Sequence, residues 1–132
     1  GGGTVNYGVQ ASANDIIMMA LDVSGTSGKL WFGKNGTWFN APGTSSVGNP
    51  ATGANAGISF AKGDEFWGIS VSSSANAAGN ANRYIYCNFG RGVFGTTAVS
   101  SGNADGAGQG IFEYAPPSGF YAMCTKNLKD YG

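Results

Sequence analysis

DIIMMALDVSGTSGKLWFGKNGTWF, Asp15 to Phe39, decides how this chain is read. Two apolar runs, Ile16 to Val23 and Lys29 to Phe32, flank Ser-Gly-Thr-Ser-Gly, and a reversal between two such runs is a hairpin signal. The continuous run Ile16-Ile-Met-Met-Ala-Leu21 fits a strand buried on both sides, with Met18 and Met19 as core filler. Downstream, Asn35-Gly36 is the dipeptide that tolerates positive φ at both central positions of a type I′ turn. Trp38-Phe39 is therefore predicted to fold back on Leu30-Trp31-Phe32, and three antiparallel strands are written into one stretch.

Outward from this core, alternation returns at Ile58-Ser59-Phe60 and again at Glu65–Ser72, where Trp67, Ile69 and Val71 share a face. A short strand is expected at Thr4–Val9, another at Arg83–Phe89, and a closing one at Phe120–Cys124. In Arg83–Phe89, Ile85, Cys87 and Phe89 are expected inward and Tyr84, Tyr86 and Asn88 on the other side. Three stretches rich in turn formers separate the strands: Asn40–Gly57, Ser73–Asn82 and Gly95–Gly110. Pro116-Pro117 cannot donate to a ladder and sets the entry of the last strand. The seven residues from Lys126 read as a tail or the start of a linker.

Several of these motifs carry a family resemblance. Asp15-Ile-Ile-Met-Met-Ala20-Leu21-Asp22 followed by Lys29-Leu-Trp-Phe-x-Lys-Asn-Gly-x-Trp38 resembles the SPRY domain. Cys87-Asn-Phe-Gly-Arg91 with Phe94 is similar to that family's "NFG…F" strand and turn, and Pro116–Leu128 to its closing "PPxGFxAL-x-TxNL" strand. The resemblance spans about Tyr7 to Leu128. It implies an all-β, antiparallel bent β-sandwich of the concanavalin-like jelly-roll kind, in the form found in bacteriophage and other microbial structural proteins. It also implies partner binding through variable loops, here those after Phe39, Ser72 and Gly95. Strands that precede the matching segment in the family, such as "WYWEV", are missing. A cut sheet exposes unpaired edges, which favours a longer parent polypeptide or a partner chain that completes it.

Composition narrows the function. The 132 residues suit a single domain. Seven basic and seven acidic side chains, with no histidine, give no basic footprint for nucleic acid. No apolar run reaches the roughly twenty residues of a membrane span, so no membrane insertion is expected. Twenty-four glycines favour turns over helices, while seventeen aromatic residues argue for a packed core. Trp31, Trp67, Phe89 and Phe120 are the expected core aromatics. Cys87 and Cys124 read as small core residues, and sequence cannot place their Cα atoms close enough for a bridge.

Chemistry has few candidates. Histidine, the commonest general base, is missing, and no serine sits in a Gly-x-Ser-x-Gly elbow. Asp15, Asp22, Asp64, Glu65, Asp105, Glu113 and Asp130 are scattered over separate turns. Asn103-Ala-Asp105-Gly lacks the further carboxylates and closing glutamate of a calcium loop. No enzyme activity, metal or cofactor is expected. Loop-borne binding residues are the expectation instead: Tyr7, Trp38, Asn40, Asn49, Asn76, Asn80 and Asn103. The leading functional reading is a non-catalytic tail, fibre or capsid-decorating module, located in a virion or outside the cell. Its partners would be protein subunits of the same assembly or a host-surface protein or glycan, with the chain part of a longer polypeptide or a homo-oligomer. A lectin-like glycan-binding domain and a fragment of an extracellular hydrolase are the alternatives.

Overall fold

The structure, a computed structural model, describes residues 9–40, 46–63 and 84–131. The expected strands at Thr4–Val9 (all but Val9) and Glu65–Ser72, the loop 73–82, and the residues Asp64, Glu65 and Trp67 lie outside them. Strand β1 (Ile17–Asp22) runs antiparallel to β2 (Ser27–Lys34), in register from Ile17 opposite Lys34 to Asp22 opposite Lys29. The other edge of β2 is shared. Strand β3 (Thr37–Phe39) pairs with its C-terminal half and β4 (Ile58–Ala61) with its N-terminal half, both antiparallel. The sequence stretch that opens the argument thus forms the centre of a four-stranded sheet.

Both hairpin turns follow from local chemistry. Asn35 and Gly36 take φ of 49° and 85°, the two left-handed positions that Asn-Gly supplies. Asn35 is also braced: its Oδ1 accepts from Ile16 N at 2.8 Å and its Nδ2 donates to Asp15 Oδ1 at 2.6 Å. Lys34 Nζ lies 3.3 Å from Asp15 Oδ2. At the first turn, Ser24 donates its N–H and hydroxyl to Asp22 Oδ1, at 2.9 and 2.7 Å. Ser12 N, which donates to Asp15 Oδ2 at 2.8 Å, together with Asn35 holds the Asp15 carboxyl below the usual range, and the two bonds from Ser24 do the same for Asp22.

Residues opposite one another in a ladder share a face, so the register divides the sheet into two sides. On one, Met18, Gly33 and Trp38 form a row, and Ala20 with Trp31 forms the next. Gly33 has no room for a side chain: a Cβ there would stand 2.5 Å from Met18 Cε and 3.0 Å from Trp38 Cε3. Trp31 is the core of the described residues, with 0% exposure. Its Nε1 donates to Ala54 O at 2.9 Å, and the Phe120 ring meets it edge-on, centroids 6.0 Å apart at 87°. The segment that supplies Ala54 is folded onto this face by a 3₁₀ turn (Pro50–Thr52), which Asn49 caps, and Lys29 Nζ donates to Gly53 O at 3.1 Å. The expected core role of Trp31 is thereby observed, while Phe120, its edge-on partner, is half-buried.

The opposite side corrects one expectation. Ile17, Met19 and Leu21 are 51%, 37% and 37% exposed, so β1 is not buried on both faces, and Met19 fills no core. Of the strand itself, Met18 and Ala20 point to the packed side, because alternate residues of a strand must diverge.

Residues 84–131 differ more from the expectation. Tyr84 to Asn88 forms no strand, and Ile85, Cys87 and Phe89 are exposed instead of inward. Asn88 explains the loss of the strand at its end: its Oδ1 accepts from Gly90 N and Gly92 N, which turns the chain. A small hairpin, β5 (Val93–Phe94) and β6 (Thr97–Ala98), stands where part of a loop was expected. Phe120–Cys124 is not a strand. Ala122 N, which a ladder would need, donates instead to Asp105 Oδ2 at 2.7 Å. A short helix, α1 (Thr125–Tyr131), follows in place of the expected tail. Cys87 and Cys124 are free thiols. Among the described residues, no helix is long and apolar enough to cross a membrane.

Asp105 is the hub of this half. Although it belongs to a stretch that reads as a loop, its carboxylate is buried and accepts four hydrogen bonds. Oδ1 takes Ala107 N and Gln109 N at 2.9 and 2.8 Å; Oδ2 takes Ala122 N and Asn127 Nδ2 at 2.7 and 2.8 Å. Burial pushes its pKa up, but the donors outweigh burial and hold it below the usual range. Asn127, buried in α1, also donates to Ala122 O at 2.9 Å, fastening the helix to the loop.

Candidate functional site

A groove of about 520 Å³ opens between the turn at Asn14, the Tyr84–Tyr86 segment and the β5–β6 hairpin. Each wall has a local cause. Tyr84 and Tyr86, two apart in the chain, both line the groove. Their rings are 6.3 Å apart between centroids and 14° from parallel, with 72% and 57% of each residue exposed. Below Tyr86 lies Gly95, the first residue of the hairpin turn, at φ 62°. A Cβ on Gly95 would come within 2.8 Å of Tyr86 Cε1, so the ring rests where only glycine leaves space. Ile16, Phe94 and Val99 make the remaining floor apolar.

The polar wall is Glu113 with Ser100. Glu113 Oε2 accepts from Ser100 N at 2.6 Å, and Oε1 accepts from the Ser100 hydroxyl. These donors outweigh desolvation and hold the Glu113 carboxyl below the usual range, so it is ionised at neutral pH. Its backbone is fixed by Asn103, whose Nδ2 donates to Glu113 O at 2.9 Å. Asn14, at φ 68°, and Thr97 add neutral polar groups.

A second surface lies across the sheet. Ile16 lines the groove and Ile17 an apolar hollow of about 300 Å³ with Val9, Phe39 and Ile58, since consecutive residues of extended chain point to opposite sides. The exposed row Ile17, Met19 and Leu21 continues from this hollow along β1.

The residues singled out from sequence scatter. Tyr7, Asn76 and Asn80 lie outside the described residues. Trp38 is half-buried against Gly33, and Asn40 is half-buried just after β3. Asn49 uses its side chain as a cap, accepting from Thr52 N at 3.3 Å, and Asn103 uses its amide on Phe112 O and Glu113 O. Neither Asn49 nor Asn103 is in the groove lining. Tyr84, Tyr86, Ser100 and Glu113 were missed. The signal available was the alternation of Tyr84-Ile85-Tyr86, which already set both tyrosines on the side away from the expected core. Nothing in a one-dimensional pattern brings Glu113 to them.

Asp15, Asp22, Asp105 and Glu113 are each engaged by donors of their own neighbourhood. Among the described residues, no group of three or more His, Cys, Asp or Glu could hold a metal ion. No protein-family model, curated protein or solved structure matches the chain. The resemblance to SPRY domains therefore rests on its three sequence motifs.

Proposed function

We propose that the chain is a non-catalytic binding and structural module of a phage or virus-like particle, built as a SPRY-type sandwich whose open side is covered by a neighbouring copy. The observation that supports this most is the exposed row Ile17, Met19 and Leu21 on β1, an outer strand of the described sheet. Apolar rows of this kind gain from leaving water at about 25 cal/mol per Å², and a contiguous one is the usual mark of an interface. A formal net charge of zero removes the repulsion that would oppose contact between copies. The same sparse charge suits a surface recognised by shape and apolar contact.

Native mass spectrometry beside the denatured intact mass tests the reading. The wild-type chain is expected to form an oligomer at micromolar concentration, and Met19→Lys to return it to the 13.4 kDa monomer with an unchanged circular dichroism spectrum. A wild-type chain that stays monomeric throughout that range overturns it.

A further inference from the structure

We propose that the groove beside Tyr84 and Tyr86 is a binding site for a neutral carbohydrate. Two tyrosine rings this exposed, and nearly parallel, are not used to fill a core. Exposed aromatic faces offer a flat apolar surface to which the C–H face of a pyranose is complementary, while their hydroxyls remain available at the rim. Such a ring also needs acceptors for its hydroxyls, and the wall opposite supplies them.

Glu113 is the principal acceptor. Ser100 N, Ser101 N and the Ser100 hydroxyl donate to its carboxylate, and the Ser101 side chain adds a further hydrogen bond, so a ligand hydroxyl would share these oxygens with the two serines. The carboxylate is thus held in one orientation before any ligand arrives, and a site so prepared loses less entropy on binding. Asn14 and Thr97 line the same groove and can donate or accept. Its volume, about 520 Å³, lies within the range of small-molecule sites.

The lining also selects the ligand class. Among the described residues its lining contains no lysine or arginine, so a phosphate, a sulfated sugar or a uronic acid would face Glu113 without a compensating cation from them. An organic cation would satisfy the charge of Glu113 and is the competing ligand chemistry. Cation recognition by aromatics, however, uses ring faces that converge on the charge, and these two rings are 14° from parallel. Ser100 and Ser101 already donate to the Glu113 carboxylate, which suits a hydroxyl better than a full ion pair.

The test is titration of the isotopically labelled full chain with cellotetraose and with chitotetraose, read by amide and tyrosine-ring chemical shifts. Shifts confined to Tyr84, Tyr86, Ser100 and Glu113, with a Kd at or below about 10 mM, are expected for at least one of them. Tyr84→Ala should weaken that binding about tenfold, because the side chain is exposed and its removal leaves the fold intact. Gly95→Val, which forces the Tyr86 ring off its seat, should also weaken it. Met19→Lys, on the other side of the sheet, should bind as the wild type does, so failure here and failure of the assembly reading are separate results. The proposal is overturned if neither oligosaccharide produces shifts in the groove, if Tyr84→Ala binds as tightly as the wild type, or if only tetramethylammonium shifts these residues.

Discussion

The four-stranded sheet and the segment from Tyr84 to Tyr131 solve the same problem, satisfying a buried backbone, by different means. In the sheet, ladders do it: β2 is paired along both edges, and side chains only decide which face is packed. In the later segment the ladders shrink to two-residue β5 and β6, and polar side chains take over. Asn88, Asn103, Asp105 and Asn127 accept or donate the bonds that neighbouring strands would otherwise provide. A ladder spreads its stabilisation over many weak, equivalent bonds. A hub concentrates it on a few atoms, so losing one residue leaves several donors unsatisfied at once.

Trp31 is where the halves meet, through Ala54 on one side and Phe120 on the other. Trp31→Ala should therefore cost most, about 3–5 kcal/mol, and unfold both halves together in a denaturant titration followed by two probes. If the later segment kept its midpoint while the sheet lost its own, the two would be independent units, and the contrast between them would be one of separate domains.

Asp105→Ala should cost about 2–4 kcal/mol, because four donors lose their acceptor at a buried site. Hydrogen exchange is expected to show the loss at Ala107, Gln109 and Ala122, with β1 to β3 still protected. Equal loss in the sheet would break the distinction drawn between ladder and hub.

Acid should give the smallest effect. The carboxyls of Asp105 and Glu113 titrate below their unfolded values, so their contribution is present at neutral pH and disappears as the pH falls through the folded pKa. As the pH is lowered, amide protection relative to the intrinsic exchange rate should fall first around Ala107 and Ala122, and Asp105→Asn should remove most of that dependence. Asp15 and Asp22 are shifted the same way but act at exposed turns, where the contribution is small.

Legibility in the sequence follows the same divide. The strands and the Asn35-Gly36 turn were readable because period-two alternation and left-handed φ are local properties. Phe120–Cys124 looked equally like a strand and is not one, since Asp105, seventeen residues before Ala122, takes the N–H that pairing requires. Asn49 and Asn103 looked like loop residues free to bind, yet each is engaged with backbone of its own chain. The groove was half visible: alternation put Tyr84 and Tyr86 together, but not opposite Ser100 and Glu113.

By itself, then, the sequence determined a β-rich chain, its central three strands and one buried tryptophan, because those depend on residues close along the chain. Tertiary structure alone decided which face of β1 stays exposed, that Asp105 organises the C-terminal half, and that a tyrosine pair shares a groove with Glu113. Each of these depends on contacts between residues far apart in sequence, whose geometry no local periodicity encodes.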